Sequence, residues 1–377
     1  MKKILSITFF DAFISGALIL VIPLLLLERN VELVEIGLTM SILHIVFIVV
    51  RLLIALMADL RGWNRFFLLI HWPSSLLTTF TYFIAGSTSL FLLGKVFEAI
   101  KESSYWAINR TAIFSSSPKR EEKESTKNMA VFFLSNAIGS AVAGLGIAYL
   151  GFSITLSILI VAAGIMGVPA ALLWKTRKLE LKPKNTKTKK LINPKNYGKS
   201  FWLVSLILML FTLSDYPLIY LLLPVFMTQQ LEYSYTTIGI VYMMYNVIAS
   251  AAGFGALKFS LGIKRSILQS GIVIFTSFLL VYSNFYFLGF LMALALAHGL
   301  GWGFIESIIA KVTKGKPSVS VDIGLLIVPT RLAQFASLLY VGFIAQSIGY
   351  APIFVSTGIL FSVFSVLALY FLRKESS

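Results

Sequence analysis

The stretch ILSITFFDAFISGALILVIPLLLL, residues 4–27, decides the class of structure that this chain can form. Its one ionisable side chain is that of Asp11, and a run of about 20 apolar residues lets a helix cross a hydrocarbon layer about 30 Å thick. Lys2 and Lys3 precede it as they would a secretory signal, but the apolar run is too long and lacks a small-residue cleavage site before Glu28. We therefore interpret it as an uncleaved first transmembrane span.

Eleven further apolar stretches follow along the 377 residues. With 58% hydrophobic residues, 13% charged residues and a mean hydropathy of +0.87, the chain is too apolar for a water-soluble domain, and that class is excluded. The runs are apolar on every side instead of alternating, which is typical of helices and not of a transmembrane barrel. The sequence predicts an all-α polytopic membrane protein with twelve transmembrane helices. These spans are residues 4–27, 36–58, 66–86, 88–110, 129–150, 152–174, 201–227, 236–257, 266–283, 285–310, 323–346 and 350–372.

The basic residues follow this topology. Of the 32 Lys and Arg residues, 26 lie in segments on the side of the N-terminus, and Arg29 is the one in a loop on the other side. This is the positive-inside pattern, which predicts cytoplasmic termini in a multi-pass protein of the cell membrane. It accounts for the formal charge of +16 without a nucleic-acid partner. There is no cysteine, so disulfides and thiolate metal sites are excluded, and we expect neither a cofactor nor a metal.

The longest polar stretch, residues 175–199, separates six predicted spans from the next six. It holds ten Lys or Arg residues and has no apolar periodicity, which predicts a cytoplasmic linker. The bundles it joins are residues 1–174 and 200–377. Residues recur between the two bundles at offsets of 196 to 204, a repeat characteristic of secondary transporters. The matches include Asp11 with Asp215, Pro23 with Pro224, and Trp106 with Trp302.

Two loop sequences carry a resemblance to a known family. The first is Ala55-Leu-Met-Ala-Asp59-Leu-Arg61-Gly62-Trp-Asn-Arg65, and the second is Gly255-Ala-Leu-Lys-Phe-Ser-Leu-Gly262-Ile-Lys264-Arg265. Both are similar to the motif G-x-x-x-D-[RK]-x-G-[RK]-[RK] of the major facilitator superfamily of secondary transporters. The first copy keeps the acid, and the second keeps both glycines and the basic pair. With the topology and the duplication, the chain resembles that superfamily over essentially its whole length.

The resemblance implies a cytoplasmic gate between the halves, in which Asp59 stabilises the outward-open state. The gating residues so implied are Asp59, Arg61, Gly62, Arg65, Gly255, Gly262, Lys264 and Arg265.

Ionisable side chains inside the spans mark the predicted site. Each costs at least about 2.5 to 3.5 kcal/mol at bilayer depth and should therefore face protein or water. The sixth, ninth and twelfth spans have none, and the third has only His71. In the family that the chain resembles, spans 1, 4, 7 and 10 line a central cavity, and spans 3, 6, 9 and 12 face lipid. The predicted substrate and proton cavity comprises Asp11, Arg51, Lys95, Glu98, Lys101, Glu102, Tyr105, Trp106, Asp215, Tyr216, His298, Trp302, Glu306 and Arg331.

The fourth span carries the densest charge cluster. Lys95, Glu98 and Glu102 recur at intervals of three and four, which places them on one helical face. Two interpretations stay open. Either the ion pairs hold the helices together, or the carboxylates bind and release a proton. In the second case burial favours the protonated carboxyl and a neighbouring lysine favours the ionised one. Lys95-Val-Phe-Glu98-Ala99 also looks like the family motif R-x-x-Q-G, which is associated with proton coupling.

A buried carboxylate without a partner is very costly, so each of the two matched aspartates either pairs across the cavity or contacts the substrate. Arg51 and Arg331 are the candidate partners for pairing. His298 is either a hydrogen-bonded structural residue or a proton-coupling residue. The glycines between 139 and 146 predict a helix face suited to close packing.

These patterns predict a secondary transporter, not an enzyme, that moves a small organic solute through the lipid bilayer by alternating access, as a monomer coupled to protons. Five cavity carboxylates and several aromatic residues favour export of amphipathic or cationic compounds. A sugar or organic-anion transporter of the same fold and a non-transporting membrane sensor stay open as alternatives.

Overall fold

The computed structural model describes residues 2–61, 64–116, 121–174, 197–256, 271–272, 275, 278–279, 286–313 and 319–376. These residues form helices and short connecting turns, with no strand among them. The helices of the first half are α1 (Lys2–Glu28), α2 (Leu33–Arg61), α3 (Asn64–Ile84), α4 (Thr88–Ser116), and the stretch Glu121–Trp174, which contains α5 before Gly151 and α6 after it.

The second half begins with α7, which runs from Lys199 to Gln229 and includes a π-helical turn. The helices that follow are α8 (Tyr235–Ala256), α9 (Phe287–Thr313), α10 (Val319–Ser347) and α11 (Ala351–Ser376). α9, α10 and α11 correspond to the tenth, eleventh and twelfth predicted spans. The ninth predicted span, 266–283, lies mostly outside the described residues.

Seven stretches of the described residues are long and apolar enough to cross a membrane, and one of them contains both α5 and α6. α4 is not among them, because Lys95, Glu98, Lys101 and Glu102 place four charges within one membrane-spanning length. The apolar lengths confirm a multi-pass, all-α membrane protein, and the charge on α4 requires that helix to be shielded by its neighbours.

Two local backbone features explain where helices break. Gly151 has φ 80, a left-handed conformation that glycine adopts at no steric cost, and this separates α5 from α6. In α7, Leu218–Leu222 form a π turn directly after Pro217. In a π turn the carbonyl of residue i accepts from the N–H of residue i+5, so the partner of the Ile219 carbonyl would be Pro224. Proline has no N–H, and the Tyr242 hydroxyl of α8 donates to this carbonyl instead.

One end of the bundle, which we call the distal end, holds the turns 29–32 and 230–234, opposite both chain termini. One buried core draws on both halves and includes Leu24 of α1, Leu222 of α7, Ile238 of α8 and Leu338 of α10. In the second half it continues to the opposite end of the bundle, whereas its members from the first half lie toward the distal end. At the other, proximal end, a second core of described residues draws only on α1 to α6, with Ile4 among its members. The two halves therefore share their apolar packing at the distal end.

Close helix contacts join the halves along α5–α8 and α2–α10. A Cβ added to Gly144 of α5 would lie 2.6 Å from the Cα of Gly239 of α8, a separation that only two glycines permit. Within the first half, a Cβ on Gly139 would lie 2.1 Å from the carbonyl oxygen of Phe13. The predicted small-residue face on α5 is thus confirmed, and it serves both its own half and the opposite one.

The outward surface is apolar along α3, α6 and α11. Phe80 of α3, Val161 and Val168 of α6, and Val366 of α11 all leave half or more of their surface exposed. Exposed apolar side chains on this scale suit contact with lipid chains, as the sequence predicts for the third, sixth and twelfth spans.

Candidate functional site

A central cavity of about 200 Å³ lies between the two halves and has room for several water molecules. Side chains of α1, α2, α4 and α5 line one wall, and side chains of α7, α8, α9 and α10 line the other. Among the described helices, α3, α6 and α11 contribute none. Predicted site residues in the lining are Asp11, Lys95, Glu98, Glu102, Trp106, Asp215, Tyr216, His298 and Arg331.

Asp11 of α1 lies in a buried cluster of ionisable groups. Its Oδ1 is 3.1 Å from Nζ of Lys101 on α4 and 3.2 Å from Nε2 of His71 on α3. The lysine also donates a 2.7 Å hydrogen bond to the hydroxyl of Ser15. The Asp11 carboxylate therefore has two cationic or potentially cationic partners from two other helices.

Glu98 of α4 is held by two donors. Its Oε2 accepts hydrogen bonds of 2.8 Å from Nζ of Lys95 and 2.6 Å from the hydroxyl of Tyr82 on α3. The Lys95 ammonium also lies 5.6 Å from the centroid of the Tyr82 ring. The sequence predicted that Lys95 and Glu98 share a helical face, and this is confirmed, because they form an i,i+3 ion pair.

Arg331 of α10 crosses from the second half to the first. Its Nη2 lies 3.4 Å from Oε2 of Glu102 on α4, and its Nη1 lies 3.2 Å from Nδ1 of His44 on α2. Its guanidinium carbon is 3.6 Å from the centroid of the Phe47 ring, a cation–π contact. Among the described residues, this cluster forms a polar link between the two walls of the cavity.

Asp215 of α7 has a different environment. Its Oδ1 lies 2.9 Å from Nδ1 of His298 on α9, and the hydroxyl of Tyr245 on α8 contacts the same nitrogen. The His298 ring stacks on Phe361, with the edge of Phe211 nearby. Within the described residues, no Lys or Arg forms an ion pair with Asp215.

Aromatic side chains surround these charges. Tyr216 and Tyr220, one turn apart on α7, stack with ring centroids 3.9 Å apart. On the opposite wall, Trp106 meets Phe132 with centroids 5.5 Å apart. The cavity therefore offers flat apolar surfaces beside its carboxylates.

Several predicted cavity residues do not face the cavity. Arg51, Lys101 and Tyr105 are buried, but they are not part of the lining. Tyr105 instead donates to the hydroxyl of Thr8 at 2.8 Å. Trp302 and Glu306 belong to α9, but their side chains lie outside the described residues.

The candidate arginine partners of the two aspartates are wrong. Asp11 pairs with Lys101 and His71, and Asp215 contacts His298. Arg331 pairs with Glu102, because α10 packs against α2 and presents this side chain to the first half.

Most of the predicted gating residues, or their side chains, lie outside the residues that the structure describes. Gly255 lies near the end of α8, and a Cβ added there would have no atom within 4 Å. Asp59, Arg61 and Arg65 lie in α2 and α3, with side chains outside the described residues. The remaining four, Gly62, Gly262, Lys264 and Arg265, lie outside them altogether.

Polar side chains of the site that have no place in the predicted set include His44, His71, Tyr82 and Tyr245. A signal existed for His71, which is the one ionisable residue of a predicted lipid-facing span. Nothing in local spacing marks Tyr82 or Tyr245, because their partners are on other helices.

The helices, the apolar outer surface and the charged cavity between two halves define a multi-pass membrane transporter. The family model of the Major Facilitator Superfamily matches residues 4–313, and the chain belongs to this superfamily. Its fold is similar to the crystal structure of the human organic anion transporter MFSD10 (TETRAN), with a TM-score of 0.75 and 15% sequence identity over 97% of this chain and 98% of that chain. That identity shows a common fold alone. None of the curated proteins compared with the chain matches it in sequence.

Proposed function

We propose that the protein is a proton-coupled secondary transporter of the cell membrane that exports small amphipathic cations by alternating access. The observation that carries this proposal is the set of residues that contact Asp215. Asp11, Glu98 and Glu102 each lie beside a Lys or Arg, whereas Asp215 contacts a histidine and forms no ion pair with a Lys or Arg among the described residues.

The two ring nitrogens of His298 have different surroundings. Its Nδ1 faces the Asp215 carboxylate, whereas its Nε2 is buried without a hydrogen-bond partner in the described part of the chain. Protonating Nε2 would bury an N–H with no acceptor, which costs about 1 to 3 kcal/mol. Asp215 is therefore left to be neutralised by a proton or by a cationic solute.

The surroundings of Asp215 favour an aromatic or amphipathic cation. The stacked rings of Tyr216 and Tyr220 follow it on α7, and both line the cavity. A cation over an aromatic face gains about 0.5 to 2 kcal/mol, more when water is excluded. An ammonium group at Asp215 and a ring on the tyrosines would use both features.

The shared core at the distal end supports alternating access with that end closed. With both termini in the cytoplasm, the distal end is the extracellular one. We further propose two six-helix units, residues 1–174 and 200–377, joined by the linker 175–199, and a monomeric protein. Asp59, Arg65 and their matched residues in the second half are the proposed cytoplasmic gate.

The test is flux in liposomes containing the purified protein. A panel of organic cations, organic anions and sugars is measured with and without an imposed pH gradient. We expect gradient-dependent flux of cations, lost by about tenfold to a hundredfold in Asp215→Asn, since a hydrogen bond to a charged group contributes about 1.5 to 3 kcal/mol. Asp215→Glu is the matched control and keeps most of the flux. Flux that ignores the gradient refutes proton coupling, and binding without any flux identifies a sensor.

A second candidate, organic-anion transport, is favoured by Arg331. Its separation of 3.4 Å from Glu102 is long for an ion pair, so an anion could replace Glu102 as its partner. In that case the same panel gives flux of anions, and Arg331→Met abolishes it while Asp215→Asn does not.

A further inference from the structure

Two asparagines of the cavity lining, Asn136 of α5 and Asn246 of α8, have hydrogen-bonding capacity that the described protein does not use. They are buried, with 4% and 8% of their surface exposed. Oδ1 of Asn136 has no hydrogen-bond partner in the described part of the chain. Asn246 donates from Nδ2 to the carbonyl of Tyr242 at 2.9 Å, and no described residue donates to its Oδ1. A buried amide oxygen without a donor is costly, so water or a solute in the cavity is expected to supply one.

Two contacts on either side of these asparagines define how α5 and α8 are aligned. Near the distal end, a Cβ added to Gly144 of α5 would lie 2.6 Å from the Cα of Gly239 of α8. Toward the proximal end, the hydroxyl of Ser250 of α8 donates to the carbonyl oxygen of Ala130 of α5 at 3.4 Å. Residue numbers rise toward the distal end along α5 and fall along α8, so the two helices are antiparallel.

This alignment places the two asparagines opposite each other. Asn136 is eight residues before Gly144, and Asn246 is seven residues after Gly239. Since each helical residue adds about 1.5 Å, the two asparagines lie within about 2 Å of the same depth. Asn246 follows Gly239 by seven residues and precedes Ser250 by four, so it shares the helix face that contacts α5. Among the described contacts, no hydrogen bond joins the two amides, which leaves both available to a group in the cavity.

The amides also lie close to the residues that contact Asp215. Tyr245 precedes Asn246 in the sequence and lines the cavity, and its hydroxyl contacts Nδ1 of His298. The same nitrogen lies 2.9 Å from Oδ1 of Asp215. A solute whose charged group is held at Asp215 can therefore reach the amides with a polar group nearby.

We infer that Asn136 and Asn246 form a hydrogen-bonding subsite for a hydroxyl or amide group that the transported solute carries close to its charged group. The inference rests on the proposed function, to which it adds the class of solute: organic cations with a hydroxyl or amide, in preference to the same cations without one. A hydroxyl can donate to one amide oxygen and accept from an amide N–H. Because each half supplies one asparagine, a solute bound to both connects the two halves at the α5–α8 contact.

Equilibrium binding to the purified protein in lipid nanodiscs tests the inference with two matched pairs of probes. The cations are 2-phenylethylammonium and 2-hydroxy-2-phenylethylammonium, and the anions are phenylacetate and its 2-hydroxy counterpart, mandelate. Within each pair the probes differ by one hydroxyl group. We expect the hydroxylated cation to bind about threefold to tenfold more tightly than its partner, which is the effect of one neutral hydrogen bond.

Variants assign this preference to the subsite. Asn136→Leu and Asn246→Leu should each reduce it to less than about twofold, because one amide of the pair is then missing. Ser250→Ala is the matched control, since it removes a hydrogen bond at the same helix contact from a side chain outside the described lining, and it should keep the preference. Asp215→Asn should weaken the binding of both cations alike, and it therefore tests the proposed function separately.

Equal affinities for the two cations in the unaltered protein would overturn the inference and leave the proposed function intact, and this outcome needs no variant to fold. If the anions bind in place of the cations, and mandelate loses its advantage in either asparagine variant, the cation proposal fails and the subsite stands. Gln334 of α10 is another amide of the cavity lining, and its Oε1 has no described partner. A preference that persists in both asparagine variants, or that is lost only in Gln334→Leu, would overturn the inference.

Discussion

The guanidinium of Arg331 and the carboxylate of Glu102 face each other at 3.4 Å from opposite halves of the protein. One belongs to α10 and the other to α4, so the pair spans the cavity that the two halves enclose. Any movement that separates the halves at this level must break it. The pair is therefore an electrostatic tie whose strength biases the position of the halves.

Removing one partner of this tie should destabilise the protein. We expect Arg331→Met to lower the free energy of unfolding by about 1 to 3 kcal/mol, less than the about 3 to 5 kcal/mol for a fully buried pair, because the two side chains are 11% and 17% exposed. Arg331→Met with Glu102→Gln should recover part of the loss, since neither charge is then unpaired. Thermal unfolding in detergent measures this as a double-mutant cycle, and strictly additive effects would show that the pair is not coupled.

The contact between Gly144 and Gly239 should hold the distal end closed. In Gly144→Ala the new Cβ meets the Gly239 backbone at 2.6 Å, so α5 and α8 must separate. Overpacking of this kind costs about 1 to 3 kcal/mol, which shifts an equilibrium by roughly tenfold or more.

Because the chain has no cysteine, a single cysteine at the buried Ile238 reports this opening. We expect thiol reagents to label it faster in Gly144→Ala. The control is Gly164→Ala on α6, where no atom lies within 4 Å of the added Cβ. Equal labelling rates with and without Gly144→Ala would show that this contact does not control the distal end.

The hydrogen bond from Tyr242 to the π turn of α7 should contribute to the stability of the fold. In Tyr242→Phe the Ile219 carbonyl is left buried without the partner that Pro224 cannot supply. We expect a loss of about 1 to 3 kcal/mol in unfolding free energy. Tyr340→Phe, at an exposed tyrosine on α10, should change it by less than about 0.5 kcal/mol. A similar small change in both variants would mean that water satisfies the carbonyl.

The predicted orientation can be tested with the same cysteine-free background. Glu35→Cys, at the exposed start of α2, should react with a membrane-impermeant thiol reagent in intact cells. Lys2→Cys, at the exposed start of α1, should react only after permeabilisation. The reverse pattern would place the termini outside and invert the predicted direction of export.

Much of the cavity was predictable, because embedded charge is visible in a linear sequence. Asp11, Glu98 and Asp215 stand out within apolar runs, and the i,i+3 spacing of Lys95 and Glu98 places them together on one helix. Local spacing says nothing about contacts between helices. The pairing of Arg331 with Glu102 joins residues 229 positions apart, and no periodicity points to it.

His71 is a second case in which contacts between helices were not predictable from the sequence. Its span reads as lipid-facing, and the outer face of α3 is indeed apolar at Phe80. The rotation of α3 about its axis nevertheless turns His71 inward, toward Asp11 and the Lys101 carbonyl. A helix can therefore face lipid with one side and complete the polar site with the other.

The sequence by itself determined the membrane class, the positions of most spans, the duplication and the residues whose charge must be shielded. It could do so because the hydrocarbon layer penalises each exposed polar group wherever it occurs, so length and composition suffice. The tertiary structure decided which carboxylates of the described residues pair with a permanent cation. That depends on the rotation and packing of helices distant in sequence, because a charge is compensated only by groups that lie within a few ångströms of it.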